Sequence, residues 1–397
     1  MPDELTAGRT AGPTPRIWDA IVIGAGPAGT LAAAELARRG LATLIVERKR
    51  LPRDKACGGC LNARAVAALR RIGAAGALPA EPLATTDRLL LLSPRRRAEL
   101  ALPAGAAVVR AEFDDALLAR ALRHGAVLQD GAAALVAPEV EGRLRRVALA
   151  VGGAPRDDAY GRVVLACDGL GAPSTARLPE LQRPPRPQAR VGAAAVVDRA
   201  SRDLPSGTIC LAFGQGGYVG RVRLGDDRMC VAAAVDPALL RRQGPLGALQ
   251  GLLAACGAEE LRGAPHLHVL GTLPLTRRAR HVAAERLLLV GDACGYVEPL
   301  TGEGMAAAID LALAAAPLAA EIAGSAWHGR FARAWRQTVR RSTLPRSLVC
   351  RALTGVARRP PLASAALAAV SWSPRTAARA VARMTHGAPS AAQGNPA

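Results

Sequence analysis

One short segment near the start of the chain limits the fold more than any other. Residues 18–40 read WDAIVIGAGPAGTLAAAELARRG, in which an apolar run precedes three glycines spaced as GxGxxG and an alanine-rich stretch. The pattern predicts a buried strand at Ala20–Ile23, a helix to about Arg39 and a second strand at Ala42–Val46. A strand, a glycine turn, a helix and a second strand form the first unit of a doubly wound sheet, so the sequence predicts an α/β fold.

The three glycines of this turn have separate tasks. Gly24 permits the tight exit from the strand, Gly26 leaves room for a pyrophosphate beside the backbone, and Gly29 lets the helix pack closely on the strands. Free N–H groups at the helix N-terminus then face the phosphates. Glu47 follows 23 residues after Gly24, where a carboxylate can bind both hydroxyls of a ribose, and we assign the adjacent Arg48 to the cofactor-binding residues as well. An acid at this position disfavours a 2′-phosphate, which indicates FAD or NAD rather than NADP.

Two later segments indicate which dinucleotide is bound. In YGRVVLACDGLGAPSTARL an apolar strand leads to Asp168, and in ERLLLVGDACGYVEPLTGEGMAAAIDLAL a second strand leads to Asp292 before a long helix that begins near Gly304. An aspartate at the carboxyl end of such a strand can hold the ribityl hydroxyls of a flavin, and a helix N-terminus can stabilise the charge of the reduced ring. Asp168 has a plainer alternative, because Asp-Gly is also a common turn. The pair of segments favours FAD over NAD.

The three motifs in this order resemble the FAD-binding superfamily that includes aromatic hydroxylases of the p-hydroxybenzoate hydroxylase type and the geranylgeranyl reductases. The resemblance covers roughly residues 17–325. It implies a Rossmann-like FAD/NAD(P)-binding domain with an inserted mixed β-sheet substrate domain and a helical C-terminal segment. It also implies that the glycine turn and Glu47 hold the ADP half of FAD and that Asp292 holds the ribityl chain. The loop with Gly302 and Gly304 would line the flavin pyrimidine, and Arg110 would approach the cofactor from a strand end.

Within that superfamily the sequence favours the reductase branch. The aromatic hydroxylases usually read GDAAH where this chain reads GDACG, and KACGG at 55–59 matches a Cys-Gly-Gly segment of the geranylgeranyl-reductase-like branch. The branch also carries a YxWxFP-like segment, of which this chain keeps Tyr218 alone. We find neither the tryptophan-rich segment nor the catalytic lysine that flavin-dependent halogenases carry. The sequence therefore indicates the cofactor but not the identity of the substrate.

The resemblance implies an FAD-dependent oxidoreductase that acts on a hydrophobic isoprenoid, lipid or polyketide-type substrate by hydride transfer through flavin N5. The electron donor would be NAD(P)H or a reduced carrier protein. Two alternatives stay open: an FAD monooxygenase that hydroxylates an aromatic or polyketide substrate, and a non-catalytic flavin-binding module at a membrane surface. Tyr218, Glu298 and Cys57 are the candidate proton donors, and we assign Cys57 and Tyr218 to the catalytic site.

The stretch KACGGCLNARA admits three interpretations: a redox dithiol, half of a metal site, or a glycine turn. The metal interpretation fails because zinc needs a second ligand pair and the chain has no other Cys-x-x-Cys. The dithiol interpretation is weakened because the chain lacks a second dinucleotide fingerprint for NAD(P)H. We therefore expect a glycine turn at the edge of the flavin, with Cys57 facing the ring and Cys60 incidental.

We expect the strands at 88–101, 126–136 and 143–151 to form a meander on the nucleotide domain, and four strands between 190 and 235 to form the substrate sheet. The predicted organisation of the chain is a disordered tail (1–17), an FAD-binding domain (18–187 and 276–325), a substrate-binding sheet domain (188–275), a basic helical segment (326–387) and a second disordered tail (388–397).

The net charge of +20 is carried almost entirely by arginine, since Lys49 and Lys55 are the only lysines. Such a chain attracts phosphate-bearing partners, but 3% aromatic residues and no binding module argue against nucleic acid. The C-terminal helices interleave apolar and basic residues, so we predict either contact with an anionic membrane or a solvated arginine face over the FAD domain. With no secretory signal and scattered cysteines, the expected location is the cytoplasm, and peripheral contact with the inner membrane surface stays open.

Overall fold

The computed structural model describes residues 16–79, 84–198, 203–225, 227–258, 261 and 267–386. The two predicted tails, 1–17 and 388–397, lie outside these residues except for Arg16 and Ile17.

The strands are β1 (Ile17–Ile23), β2 (Thr43–Glu47), β3 (Cys60–Leu61), β4 (Thr85–Ser93), β5 (Arg96–Ala107), β6 (Val127–Asp130), β7 (Ala132–Glu141), β8 (Leu144–Val151), β9 (Ala154–Pro155), β10 (Ala159–Ala166), β11 (Val191–Val197), β12 (Thr208–Gly214), β13 (Gly217–Arg223), β14 (Met229–Val235), β15 (Leu270–Pro274), β16 (Arg277–Arg278), β17 (Ala283–Ala284), β18 (Leu287–Leu289) and β19 (Gly295–Tyr296). The helices are α1 (Pro27–Arg38), α2 (Ala63–Arg71), α3 (Arg110–Arg123), α4 (Pro237–Ala255), α5 (Gly304–Gly324), α6 (Gly329–Ala357), α7 (Pro360–Trp372) and α8 (Pro374–His386). Single 3-10 turns occur at Ala75–Ala77, Pro173–Thr175, Pro179–Leu181, Gly291–Cys294 and Pro299–Thr301.

The first sheet is the predicted doubly wound sheet. Its central path runs β17, β18, β10, β1, β2 and β6, and the last five of these strands are parallel. The strands of the β7–β8 hairpin and β9 extend the same sheet in antiparallel pairing beside β10. The central strands are continuous apolar runs because they are fully buried, and α1 and α5, which pack against each other, lie on them. The carboxyl ends of β1, β2, β10 and β18 meet at one edge, which brings the predicted motifs together.

The second sheet runs β15, β11, β14, β13, β12, β4, β5 and β3. The four strands predicted between 190 and 235 are confirmed as β11 to β14. The assignment of 88–101 to a meander on the nucleotide domain is wrong, because β4 pairs in parallel with β12 and so carries β5 into the second sheet. Arg88 lies opposite Thr208 in that pairing, a partner that local alternation of apolar residues cannot reveal. The strands predicted at 126–136 and 143–151 do lie in the first sheet, as β6 to β8.

The helices after residue 325 cover both sheets. α6 packs against α5, whereas α7 and α8 pack against β5 of the second sheet. Among the described residues, α5 alone is long and apolar enough to cross a bilayer by length and composition, and 56% of its apolar window is buried inside the protein. α5 packs against α1 and β10, as a core helix does.

Candidate active site

The glycine turn after β1 closes against β10 at the carboxyl edge of the first sheet. Gly24 has a φ of +104°, and a Cβ there would lie 2.7 Å from the carbonyl oxygen of Cys167. A Cβ on Gly29 would lie 1.8 Å from the carbonyl oxygen of Gly24. Both contacts involve backbone, which cannot move aside, so this close packing of α1 on the turn requires glycine at both positions.

Gly26, the N-cap of α1, has no backbone close to the position of a Cβ. A Cβ there would have as its nearest neighbours a guanidinium nitrogen of Arg53 and the amino nitrogen of Lys55, each at 3.9 Å. The same Lys55 nitrogen lies 3.7 Å from where a Cβ on Gly169 would stand, so Lys55 extends between the two glycine turns. A helix N-terminus, a backbone without a side chain and two cations are what a pyrophosphate requires. The residues present therefore fit the diphosphate of a dinucleotide.

Glu47 ends β2 and is buried beside the glycine turn. Its Oε2 accepts a hydrogen bond from the Ala25 N–H at 2.9 Å and lies 3.3 Å from Arg53, while its Oε1 accepts from the Lys49 N–H at 3.0 Å. Burial disfavours the charged carboxylate, but Arg53 and the two backbone N–H groups outweigh burial and lower the pKa of Glu47. Glu47 thus fastens the turn as an anion. Arg48 is exposed and pairs with no described residue, so its role in cofactor binding stays a prediction.

Arg110 begins α3 and is buried close to Lys55. Its guanidinium donates two hydrogen bonds to Asp114, at 3.0 and 2.8 Å, and Asp114 also lies 3.5 Å from Arg53. Burial opposes the charge on Arg110, but Asp114 and the neighbouring Cys57 outweigh it and raise the pKa of Arg110. Arg110 therefore holds a permanent positive charge beside Cys57.

The Cys-Gly-Gly segment is a turn pressed between the two sheets. Gly59 has a φ of +66°, and a Cβ there would lie 2.8 Å from the carbonyl oxygen of Val108. The Val108 N–H in turn donates to the Gly59 carbonyl at 2.7 Å. A Cβ on Gly58 would meet only the Cβ of Ala232, at an ordinary 3.8 Å. The Gly59 N–H donates to the Sγ of Cys57 at 3.5 Å, which orients the thiol. The close backbone approach in this turn is thus a property of Gly59, not of Gly58.

The two cysteines of this segment have different surroundings. Cys60 belongs to β3, its thiol donates to the Gly58 carbonyl at 3.3 Å, and burial together with Cys57 raises the pKa of Cys60 to about 12. Cys57 is half-buried and interacts with both Arg110 and Tyr296. No group of metal-ligating side chains occurs among the described residues. Cys60 therefore stays a protonated thiol in the sheet, and Cys57 is the sulfur that faces the site.

The two motif aspartates also differ. Asp168 Oδ2 accepts a hydrogen bond from the Ser174 N–H at 2.8 Å, so the Asx-type turn foreseen as its alternative role is present, and burial raises the pKa of Asp168. Asp292 makes no hydrogen bond to any described residue, and burial raises its pKa against the opposing effect of Lys55 and Arg110. The Asp292 carboxylate is therefore available to a ligand, whereas one oxygen of Asp168 is used by the turn.

The loop after Asp292 leads into the N-terminus of α5. Gly302 adopts a left-handed φ of +64° at the end of the 3-10 turn, and a Cβ on Gly304 would lie 3.3 Å from the ring of Tyr296. Tyr296 thus covers the first residue of α5, and burial, followed by Asp292, raises the pKa of Tyr296 well above its usual value.

An ion-pair cluster fixes the start of α5. Glu303 lies 2.5 Å from Arg64 of α2 and 3.5 Å from Arg346 of α6, and it accepts from the Asn62 side chain at 3.1 Å. About two helical turns later, Asp310 pairs with the same two arginines, at 2.5 and 3.7 Å. Three helices are therefore tied together where the cofactor loop enters α5.

Tyr218 lies on the second sheet and faces this loop. Its ring packs 5.9 Å from Phe213 and lies 5.6 Å from the Arg190 guanidinium, and its buried hydroxyl has no hydrogen-bond partner among the described residues. Burial, and then Glu298, raises the pKa of Tyr218 well above its usual value, so it keeps its proton. Glu298 itself is held by Arg190 at 3.3 Å and Arg358 at 2.8 Å, which makes it an ion-pair partner rather than a free acid.

Sequence reasoning missed four residues that the fold brings to the cleft: Arg53, Lys55, Asp114 and Tyr296. One signal was present, because Lys55 is one of only two lysines in a chain that otherwise uses arginine. The other three lie only four to six residues after a recognised residue, namely Glu47, Arg110 or Asp292, but their own residue types gave no signal of a role.

Taken together, one cleft runs from Glu47 past Gly26 and Lys55 to Asp292 and the start of α5. It offers a ribose acceptor, a cationic diphosphate site, a free carboxylate and a helix N-terminus, in that order. This is the sequence of contacts that FAD requires, from adenosine to flavin. Next to the flavin end lie Cys57 and Tyr218.

Comparison with known proteins agrees with this geometry. Residues 18–344 match the family described as the FAD binding domain. The chain is 31% identical over 340 residues to menaquinone reductase of Mycolicibacterium smegmatis, which covers 80% of this chain and 79% of that protein. It is 28% identical over 316 residues to digeranylgeranylglycerophospholipid reductase 2 of Methanopyrus kandleri, with 77% of each chain covered.

Among solved structures, p-nitrophenol 4-monooxygenase PnpA of Pseudomonas putida has the same fold, with a TM-score of 0.74 at 14% identity over 94% of this chain and 98% of that one. The fold is thus shared by reductases and hydroxylases, while the sequence is nearer to the reductases. The chain belongs to the FAD-binding family of flavoprotein oxidoreductases, in its geranylgeranyl-reductase-like branch.

Proposed function

We propose that this FAD-dependent oxidoreductase reduces a carbon–carbon double bond of an isoprenoid-type lipid, with NADH or NADPH as the electron donor. One observation carries the choice of an apolar substrate. Around Tyr218, between the second sheet and the loop before α5, lie four half-buried apolar side chains, Leu170, Phe213, Tyr296 and Leu300. These side chains form an apolar wall. The negative charge of Glu298 nearby is balanced by ion pairs with Arg190 and Arg358.

The relatives support the same substrate class. The names of menaquinone reductase and digeranylgeranylglycerophospholipid reductase denote lipids with different head groups. This chain nevertheless matches at least three quarters of each protein. A polyketide-type substrate stays the other class predicted from the sequence.

Different residues of the cleft would bind different parts of FAD. The N-terminus of α1, Arg53 and Lys55 would hold the diphosphate, Glu47 the adenosine ribose and Asp292 the ribityl chain. FAD, when bound and reduced, supplies the hydride from N5. Addition to an alkene then requires one proton at the other carbon.

Tyr218 and Cys57 are the two groups placed to give that proton. The Tyr218 hydroxyl is enclosed, protonated and without a partner among the described residues. Cys57 is held by the Gly59 N–H next to the Arg110 guanidinium, which would stabilise the thiolate that remains after proton transfer. Solvent can return the proton through the half-exposed side of Cys57.

The test is anaerobic turnover of the purified holoenzyme. NADH and NADPH are added in turn, with dithionite as a chemical reductant, and the visible flavin absorbance is followed. A detergent-solubilised quinone with an unsaturated isoprenoid tail, or a geranylgeranyl lipid, is then added to the reduced enzyme. We expect reoxidation of the flavin and a product heavier by two hydrogen atoms. Cys57→Ser should slow reoxidation at least tenfold, while the matched Cys60→Ser should not.

Other outcomes identify the alternatives. A product heavier by one oxygen atom, formed only in air, would assign the protein to the monooxygenases. A bound flavin that neither pyridine nucleotide nor a reduced ferredoxin can reduce would support a binding module without turnover. A cytoplasmic location stays a prediction from the sequence.

A further inference from the structure

The two faces of helix α6 have different surroundings. On its inner face Phe331, Trp335 and Val339 are buried in the core of the first sheet. The Trp335 ring N–H donates to the Leu289 carbonyl at 2.9 Å. Farther along the same helix, Arg346 pairs with Glu303, as described above. α6 is therefore a fixed part of the protein and not a loose appendage.

The inner face also holds the cofactor loop. The Cys350 thiol donates to the Glu298 carbonyl at 3.1 Å, and Arg358, just after α6, pairs with the Glu298 carboxylate. One helix thus contacts the loop at Glu298 and, through Arg346, at Glu303. Whatever docks on the outer face of α6 lies about one helix diameter, roughly 10 Å, from the active-site loop.

The outer face carries a cluster of unpaired cations. Arg333, Arg336, Arg340 and Arg341 are all exposed and line a shallow groove with Leu344 and Pro345. Within the described part of the chain, none of the four arginines forms an ion pair or a hydrogen bond with an acidic group. By contrast Arg330, one turn earlier, is paired with Glu321. Four guanidinium groups over three helical turns without a counter-charge call for an anionic partner.

Apolar side chains continue the same face. Residues 340, 344 and 348 recur at intervals of four, so Arg340, Leu344 and Leu348 form one stripe. The two leucines are 42% and 55% exposed to solvent. A cationic patch followed along one stripe by exposed leucines is the composition of a helix that lies at a bilayer interface.

We propose that the outer face of α6, from Arg333 to Leu348, docks on the surface of an anionic phospholipid bilayer. The arginines contact the lipid phosphates, and Leu344 and Leu348 enter the boundary between head groups and acyl chains. A nucleic acid would use the same charges, but this face offers no aromatic ring for stacking, and two exposed leucines would gain nothing from a phosphate backbone. The inference concerns binding and does not depend on the reaction proposed above.

The experiment is sedimentation of the full-length holoenzyme with vesicles of phosphatidylcholine alone or with 30% phosphatidylglycerol, at low and high salt. We expect binding to the anionic vesicles only, weakened by salt. The triple variant Arg333→Gln/Arg340→Gln/Arg341→Gln should lower the partition constant on the order of 100-fold, because each cation near such a surface contributes several-fold. Leu344→Ser/Leu348→Ser should remove the binding that remains at high salt.

The matched control is Arg39→Gln/Arg71→Gln/Arg123→Gln, which removes the same charge from three exposed arginines elsewhere in the chain. Retained flavin absorbance and unchanged thermal unfolding show that each variant is folded. Equal losses in the two triple variants would mean that net charge, not this face, drives binding, and would overturn the proposal. Binding to neutral vesicles as strong as to anionic ones, or tighter binding of the wild type to a DNA duplex than to the anionic vesicles, would also overturn it.

Discussion

Replacing Gly59 by alanine tests whether the Cys-Gly-Gly segment is held by backbone contact, and Gly58→Ala, one residue away, is its control. Gly59 combines a left-handed φ of +66° with a Cβ position 2.8 Å from the Val108 carbonyl oxygen. An alanine in that backbone region costs about 1–2 kcal/mol. Forcing the methyl group against a backbone oxygen adds about 1–3 kcal/mol, as overpacking does in a core. The expected loss in the free energy of unfolding is therefore about 2–5 kcal/mol.

Relaxation cannot relieve this strain cheaply. Moving Val108 away would break its 2.7 Å hydrogen bond to the carbonyl of Gly59 itself, and β5 is fixed on its other side by β4. Gly58 differs in both respects, because its φ is not left-handed and a Cβ there would make an ordinary 3.8 Å contact with Ala232. Gly58→Ala should change the free energy of unfolding by no more than about 1 kcal/mol, in either direction.

The measurement is urea unfolding of both variants, with thermal unfolding followed by flavin release. If the 397 residues unfold as one unit, the unfolding entropy is about 0.8 kcal/mol per degree, so a 3 kcal/mol loss lowers the midpoint by about 4 °C. Gly59→Ala should also release FAD more readily, because Cys57 moves with the turn. A destabilisation by Gly58→Ala as large as that by Gly59→Ala would refute the reasoning, as would a harmless Gly59→Ala.

Three further predictions concern the cleft. Lys55→Met should raise the dissociation constant for FAD at least tenfold, measured by fluorescence titration of the apoprotein, since it removes a cation beside Gly26; an unchanged constant would place the diphosphate elsewhere. Because the pKa of Glu47 is lowered from 4.5 in the folded protein, its stabilisation is present above about pH 4.5 and is lost as the pH falls through the folded value. Unfolding by urea should show this loss in the wild type, and Glu47→Gln should have a flatter pH profile in the acid range. With a pKa of about 12, Cys60 should resist iodoacetamide at pH 8 under conditions that alkylate Cys57, as read by peptide mass; equal labelling would revive the dithiol interpretation.

The first unit of the fold could be predicted because its constraints are local. Gly29 is required by its contact with the Gly24 carbonyl five residues earlier, Gly24 has a φ of +104° at the end of the strand, and Glu47 lies where a single crossover returns the chain to the sheet. The long helix from Gly304 was equally predictable, since its apolar run is unbroken except at Asp310. In each case the physical cause and its signature occupy the same stretch of sequence.

Other roles became clear only from contacts between distant segments. Asp168 and Asp292 follow similar strands, but only the fold shows that Ser174 occupies one and that the other faces Lys55 and Arg110. Likewise, Cys57 and Cys60 flank the same two glycines, yet pairing of Cys60 with β5 withdraws it from the cleft. The hairpin β4–β5 was misplaced because its pairing with β12 depends on residues 120 positions away.

The sequence by itself determined the dinucleotide turn, the flavin type of cofactor and the branch of the family, because each rests on residue types that backbone geometry or ligand chemistry permits at a fixed spacing. Tertiary structure decided which polar groups remain free for the ligand, which sulfur faces the site, and that α6 joins the cofactor loop to an unpaired basic face. Those properties depend on what lies opposite a side chain. Which side chains lie opposite one another is set only when distant segments of the chain come together in the fold.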